Sequence, residues 1–235
     1  MNEIFTTSCL LLSTHLSIYN SDCKRYICKD NAQTVENSKQ IFYFISSIKA
    51  LTLGMLFLYN FLTIDHVNIN RVDYQSPFVI SCLNGYAGGA LYDIYVYIFH
   101  KEVKPDILFH HSISLLALGL IIHHNSHIYY ISRLLLLNMN TFFLNLIFYF
   151  EYFPQHKLYI YICAPFYILT YICFRIIHVP YILYIHYTDY NDFVQRDEVN
   201  LYYAAVYFQL LAYTLQLFWS YKIYRKCKRM LTSSP

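Results

Sequence analysis

Two adjacent imidazoles, His110 and His111, stand near the start of an apolar run, DILFHHSISLLALGLII. The run before it, NGYAGGALYDIYVYIF, carries one acid, Asp93, and the run after it, ISRLLLLNMNTFFLNLIFYF, carries amides and a hydroxyl at Asn138, Asn140, Thr141 and Asn145. Polar groups within apolar spans are costly, so each is a candidate site. A carboxylate beside an imidazole can hold it in place as a general base or a ligand group. The same groups can instead satisfy one another and cement neighbouring helices, and the residues alone leave both readings open. Metal binding is the weaker third reading, because helical metal pairs prefer i, i+4 spacing. Adjacent helical residues diverge by about 100°, so no more than one of the two histidines is expected to face any given pocket.

These residues need a scaffold that crosses oil. The chain is 57% hydrophobic and 13% charged, with positive mean hydropathy, against roughly 25% charged for soluble domains. A membrane protein is expected. Its net charge of +3 is small and its basic residues fall in end segments, which argues against nucleic-acid binding. The seven cysteines show no CxxC or zinc-ligand spacing, so neither a disulfide framework nor a metal site is expected.

Six long apolar segments follow in order at 41–64, 78–99, 106–123, 128–150, 158–186 and 201–223. In hydrocarbon the backbone must satisfy its own hydrogen bonds, so segments of this length are helices, and short loops make sequential helices antiparallel neighbours. The domain plan is an N-terminal region, 1–40, with a short apolar stretch and a polar linker; a transmembrane domain, 41–225; and a basic tail, 226–235. Residues 4–19 could form an interfacial helix, a short extra span or a remnant of one, because a span needs about 20 residues.

Cytosolic loops collect Lys and Arg. With the linker on the cytosolic side, that side holds Lys24, Arg25, Lys29, Lys39, Lys101, Lys104, Lys157, Lys222, Arg225, Lys226, Lys228 and Arg229, against Arg71 and Arg196 opposite. This predicts six spans and a cytosolic C-terminus. Asp93 and the histidine pair then flank one cytosolic loop at equal depth, roughly 7 to 10 Å inside the boundary at 1.5 Å per residue. Asn145 returns to that level, with Thr141 and Asn138 one and two turns deeper. At the far interface, His123, His124 and His127 read as a solvated cluster, and Arg133 as a side chain that snorkels to it. Arg175 lies deep in the fifth segment, five residues before Pro180, where a kink is expected. Such a cation needs an acid, a carbonyl or an anionic lipid headgroup.

The ordered runs GYAGGALYDIYVYIF, LFHHSISLLALGL, LLLNMNTFFLNLIFYF and YICFRIIHVPYI resemble the TLC domain family, shared by ceramide synthases and a set of lipid-associated membrane proteins. The resemblance spans roughly 38–228, is nearest to the small members that are essentially the domain alone, and brings Asp93, His110, His111, Thr141, Phe143, Asn145, Arg175 and Pro180 into register. It implies an endoplasmic reticulum or related membrane, a six-helix bundle around a lipid-sized cavity, and a role in lipid synthesis, transport or sensing. In ceramide synthases, the resemblance implies, a histidine pair with His-Asp and Asp on the next helix transfers an acyl chain from acyl-CoA to a sphingoid amine. Here the acids are replaced: Leu137, Asn138, Asn140, Thr141 and Phe142 occupy that stretch, and Lys49 stands about where the small members carry His. An amide cannot relay a proton as a carboxylate does.

The expectation is therefore an all-α integral membrane six-helix bundle of TLC type that binds or senses a membrane lipid or fatty acyl chain, contributes to lipid homeostasis and is non-catalytic. The candidate residues are His110, His111, Asp93, Asn138, Thr141, Asn145 and Arg175, with no metal and no cofactor. The alternative is an acyltransferase of ceramide synthase type using the His110/His111 pair, with acyl-CoA as co-substrate only in that case.

Overall fold

The computed structural model describes residues 2–20, 34–64, 69–99 and 105–232, and these are helical almost throughout. The helices are α1 (Asn2–Asn20), α2 (Thr34–Thr63), α3 (Pro77–Phe99), α4 (Pro105–His124), α5 (Ile128–Leu134), α6 (Asn138–Glu151), α7 (Lys157–Tyr171), α8 (His178–Thr188), α9 (Tyr190–Gln195) and α10 (Val199–Thr232). A 3-10 turn, Leu135–Leu137, joins α5 to α6, and a π-helical stretch, Ile172–Ile177, joins α7 to α8. Each pair therefore acts as one long rod.

Packing closes these rods into a ring. α2 lies against α6, α6 against α7, the π stretch and α8 against α10, α10 against α4, α4 against α3, and α3 back against α2. The first core cluster joins α2, α3 and α4 through residues such as Phe57, Leu83 and Leu118, and a second joins α5, α8 and α10 through Tyr130, Ile182 and Tyr202. A ring of this kind has walls on every side and leaves its middle to be filled or not by side chains.

Among the described residues, four rods are long and apolar enough to cross a membrane: Asn37–Thr63, Pro105–His124, Ile128–Glu151 and Lys157–Thr188. α3 and α10, which the sequence reading also places in the membrane, are 23 and 34 residues long. α3 carries the polar tips of Tyr86, Tyr92, Tyr95 and Tyr97, and α10 is the less apolar of the two, with Gln209 and Gln216.

The N-terminal stretch is a 19-residue helix that packs on α3 and α2. Ser8 Oγ donates to the Gly88 carbonyl at 2.7 Å, and buried His15 bridges Tyr92 and Ser38, each at 2.8 Å. Gly88 permits this approach, since a Cβ there would lie 2.6 Å from the Ile4 carbonyl oxygen. The polar linker expected over 20–40 ends early: α2 begins at Thr34 and buries Asn37, Ser38 and Gln40, while 21–33 lie outside the described residues. At the other end α10 continues as helix through Thr232, into the stretch read as a tail. The expected disturbance before Pro180 takes the form of the π stretch. Proline offers no N–H to close the α-helical ladder, and a wider turn upstream absorbs the fault.

Candidate functional site

Arg175 sits on that π stretch, and the chamber inside the ring begins there. The cavity has a volume of about 590 Å³, and its wall includes His110, His111, Asp93, Asn138, Thr141, Asn145 and Arg175. All seven candidates thus face one space. Both histidines reach it, contrary to the expectation of one. The chamber wraps around the end of α4, so His111 looks toward α3, its ring 6.5 Å from that of Tyr97, while His110 looks toward α10, its ring 5.2 Å from that of Trp219.

Asp93 is the acid at this level, and its partner is not a histidine. Lys49 Nζ donates to both carboxylate oxygens, at 2.6 and 2.5 Å, and Ser46 Oγ approaches at 3.4 Å. His111 Nε2 stands 3.8 Å from Asp93 Oδ2, beyond a hydrogen bond, and its Nδ1 has no hydrogen-bond partner. An acid orients a histidine base through a hydrogen bond to its ring. Here the lysine has taken that acid.

Arg175 completes the polar wall with no carboxylate partner among the described residues. One terminal nitrogen donates to the Gln216 side-chain oxygen and the other to Thr141 Oγ1 at 3.1 Å, while its Nε has no partner. The Tyr171 and Trp219 rings lie 5.5 and 6.0 Å from the guanidinium carbon, a cation–π setting. Asn138 turns its amide back to the Leu135 carbonyl at 2.8 Å, and Asn145 stays on the chamber wall. Asn140 points away and ties α6 to α7 through the Tyr167 carbonyl at 2.9 Å. A second, narrower cavity of about 100 Å³ shares His110 and Tyr86 with the chamber and runs between α4 and α10, lined by side chains such as Leu118, Ile121, Leu135 and Phe208. Its wall is almost wholly hydrocarbon.

At the mouth, Asp106 accepts from Lys222 Nζ at 2.9 Å and from Trp219 Nε1 at 3.0 Å, fastening α4 to α10. Sequence reasoning passed over Gln216 and Trp219, although an amide inside an apolar segment and the lone tryptophan of the chain were both visible. Among the described residues no group of His, Cys, Asp and Glu is placed to hold a metal ion.

The model of the TLC domain matches residues 36–225, most of the chain and nearly all of this ring. The chain belongs to the TLC domain family. Searches of curated proteins and of solved structures find no match.

The opposite end of this TLC domain departs from the sequence reading. His123 and His124 are exposed, but His127 is buried, stacked on Phe193 at 4.5 Å and bonded through Nδ1 to His186 Nε2 at 2.9 Å. It is part of the core rather than of a solvated cluster. Burial first, then the neighbouring His186, pushes the His127 imidazole down to about 3. Arg133 does not snorkel. It is 1% exposed, its three nitrogens have no hydrogen-bond partner, and the Phe61 and Tyr129 rings flank it at 4.9 and 4.8 Å. Around Asp189 the charges are matched: Arg71 grips the carboxylate with two nitrogens and Tyr130 donates to it at 2.5 Å. Burial pushes that carboxyl up, but the bonds from Arg71 and Tyr130 outweigh it and hold the group below the usual range.

Proposed function

We propose that this TLC domain protein crosses the membrane six times, with α3 and α10 among the spans and its C-terminus in the cytosol, and binds a lipid in the chamber without turning it over. The observation that carries the reading is the convergence of seven polar residues from α3, α4, α6 and the π stretch on one cavity of about 590 Å³, within the roughly 300 to 1,000 Å³ of ordinary ligand sites. The adjoining hydrocarbon slot suits an acyl chain and the chamber a headgroup. In this reading the protein senses or buffers that lipid in the endoplasmic reticulum or a related membrane and so contributes to lipid homeostasis. No cofactor is needed.

The pairing of Asp93 with Lys49 supports binding over acyl transfer, because it removes the acid that would orient His111. Mass spectrometry of protein extracted in mild detergent is expected to show a co-purifying lipid, lost when Ala212→Trp fills the slot. In cells that depend on the protein, His110→Ala with His111→Ala is expected to shift membrane lipid composition, and an unchanged composition sinks the site. Turnover of long-chain acyl-CoA with sphingoid base, abolished by His111→Ala, would establish the acyltransferase instead.

A further inference from the structure

We infer that the occupant of the chamber is a single-chain lipid anion whose charged group binds Arg175. The inference rests on the lipid-binding reading above and adds the charge and the size of the ligand.

Charge comes first. Of the ionised side chains on the chamber wall, Lys49 is spent on Asp93 and Lys222 on Asp106, which leaves Arg175 as a surplus cation. It is 7% exposed, and its neighbours are a hydroxyl, an amide oxygen and two aromatic rings. Neutral dipoles soften the cost of burying a cation but do not cancel its charge, and a buried guanidinium ordinarily keeps a carboxylate or phosphate. Among the described residues no carboxylate fills that role. Its Nε–H also lacks an acceptor, and a guanidinium presents its N–H groups as a fork suited to a carboxylate or phosphate. One buried positive charge with an open donor, beside an empty volume, is the complement of a monoanion.

Size comes next. A cavity of about 150 Å³ takes one benzene, so each carbon needs roughly 25 Å³. At that density the 590 Å³ chamber holds about two dozen non-hydrogen atoms. One acyl chain with its carboxylate has about twenty, whereas a two-chain phospholipid has roughly twice as many as the chamber can take. The slot beside His110 and Tyr86 gives a long chain somewhere to continue. A fatty acid carboxylate and the phosphate of a single-chain phospholipid share this chemistry.

The test compares three probes on the purified full chain in detergent: oleate, oleyl alcohol and oleoyl lysophosphatidate, each followed by equilibrium binding. Oleate and oleyl alcohol have the same chain and differ in charge. Oleate, lysophosphatidate or both are expected to bind at least about tenfold tighter than the alcohol, as a charge-assisted bond gives, and whichever anion shows the preference names the source. Arg175→Gln is expected to erase the preference while alcohol binding survives. Should that variant not fold, Gln216→Glu serves as the second arm. It places a carboxylate where the amide oxygen already meets Arg175, so it should keep or raise thermal stability and still abolish the preference, a result that a purely structural arginine would not give. Equal affinity for anions and alcohol in the wild type, or a preference that survives both variants, overturns the inference and leaves lipid binding standing. Failure of all three probes to bind removes the lipid-binding reading with it.

Discussion

The two ends of the ring treat buried polarity in opposite ways. Around Asp189, an arginine, a tyrosine and the Thr188 hydroxyl close on one carboxylate, and nearby His127 and His186 bond to each other under aromatic lids. Around Arg175, a cation is left with neutral partners and an open volume. The first arrangement resembles a lock, in which the carboxylate meets its cation and a hydroxyl donor. In the second, a guanidinium meets a hydroxyl, an amide oxygen and aromatic rings beside an open volume. Buried polarity alone therefore does not distinguish the two ends; the open volume beside the Arg175 cation does.

Breaking the lock should have the largest effect, and on stability alone. Asp189→Asn leaves Arg71 facing a neutral amide and is expected to cost about 3 kcal/mol, read as a lower melting temperature in detergent, with lipid occupancy of the folded fraction unchanged. A loss of occupancy at full stability would merge the two ends into one site. In the chamber, Lys49→Met strands Asp93 without its cation and is expected to cost about 2 to 3 kcal/mol. Replacing both, Lys49→Met with Asp93→Leu, should restore stability to within about 1 kcal/mol, since an apolar pair can stand in for a buried ion pair. If the double variant is as unstable as the single one, the pair does more than neutralise itself.

The smallest effect, about 1 kcal/mol between pH 6.5 and 5.5, reads the closed end by pH. His127 titrates near 3 when folded, below the 6.5 of a free imidazole, so between those values the unfolded chain binds the extra proton. Its contribution is present in full above about pH 6.5 and is lost on acidification toward pH 3, with a slope of up to about 1.4 kcal/mol per pH unit. Asp189 adds to the loss at lower pH, because its carboxyl is held below the usual range in the folded state. Thermal melts of the wild type and of His127→Asn across this window should show a shallower decline in the variant. Parallel curves would place the titration elsewhere.

Individual residues show where sequence reasoning succeeded and where it failed. The common level of Asp93, His111 and Asn145 followed from helix rise and loop position, and all three line the chamber. Their partners did not follow. Lys49 was visible as a charge inside a span, yet its capture of Asp93 depends on how α2 is rotated against α3. His127 and Arg133 were placed at the interface by their nearness to a turn, but the turn folds inward, with Asn125 and His127 both at positive φ, and the aromatic rings of Phe193, Phe61 and Tyr129 cover them.

What the sequence determined unaided was the class of the protein, its helical segments, its family and the height of each polar residue along its own axis. Composition and a fixed rise per residue suffice for those. The tertiary structure alone decided the closing of the ring, the entry of both histidines into one chamber, the loss of Asp93 to Lys49 and the neutral partners of Arg175 among the described residues. Those outcomes depend on the azimuth of each helix and on which side chains meet across it, and a one-dimensional pattern carries height but not azimuth.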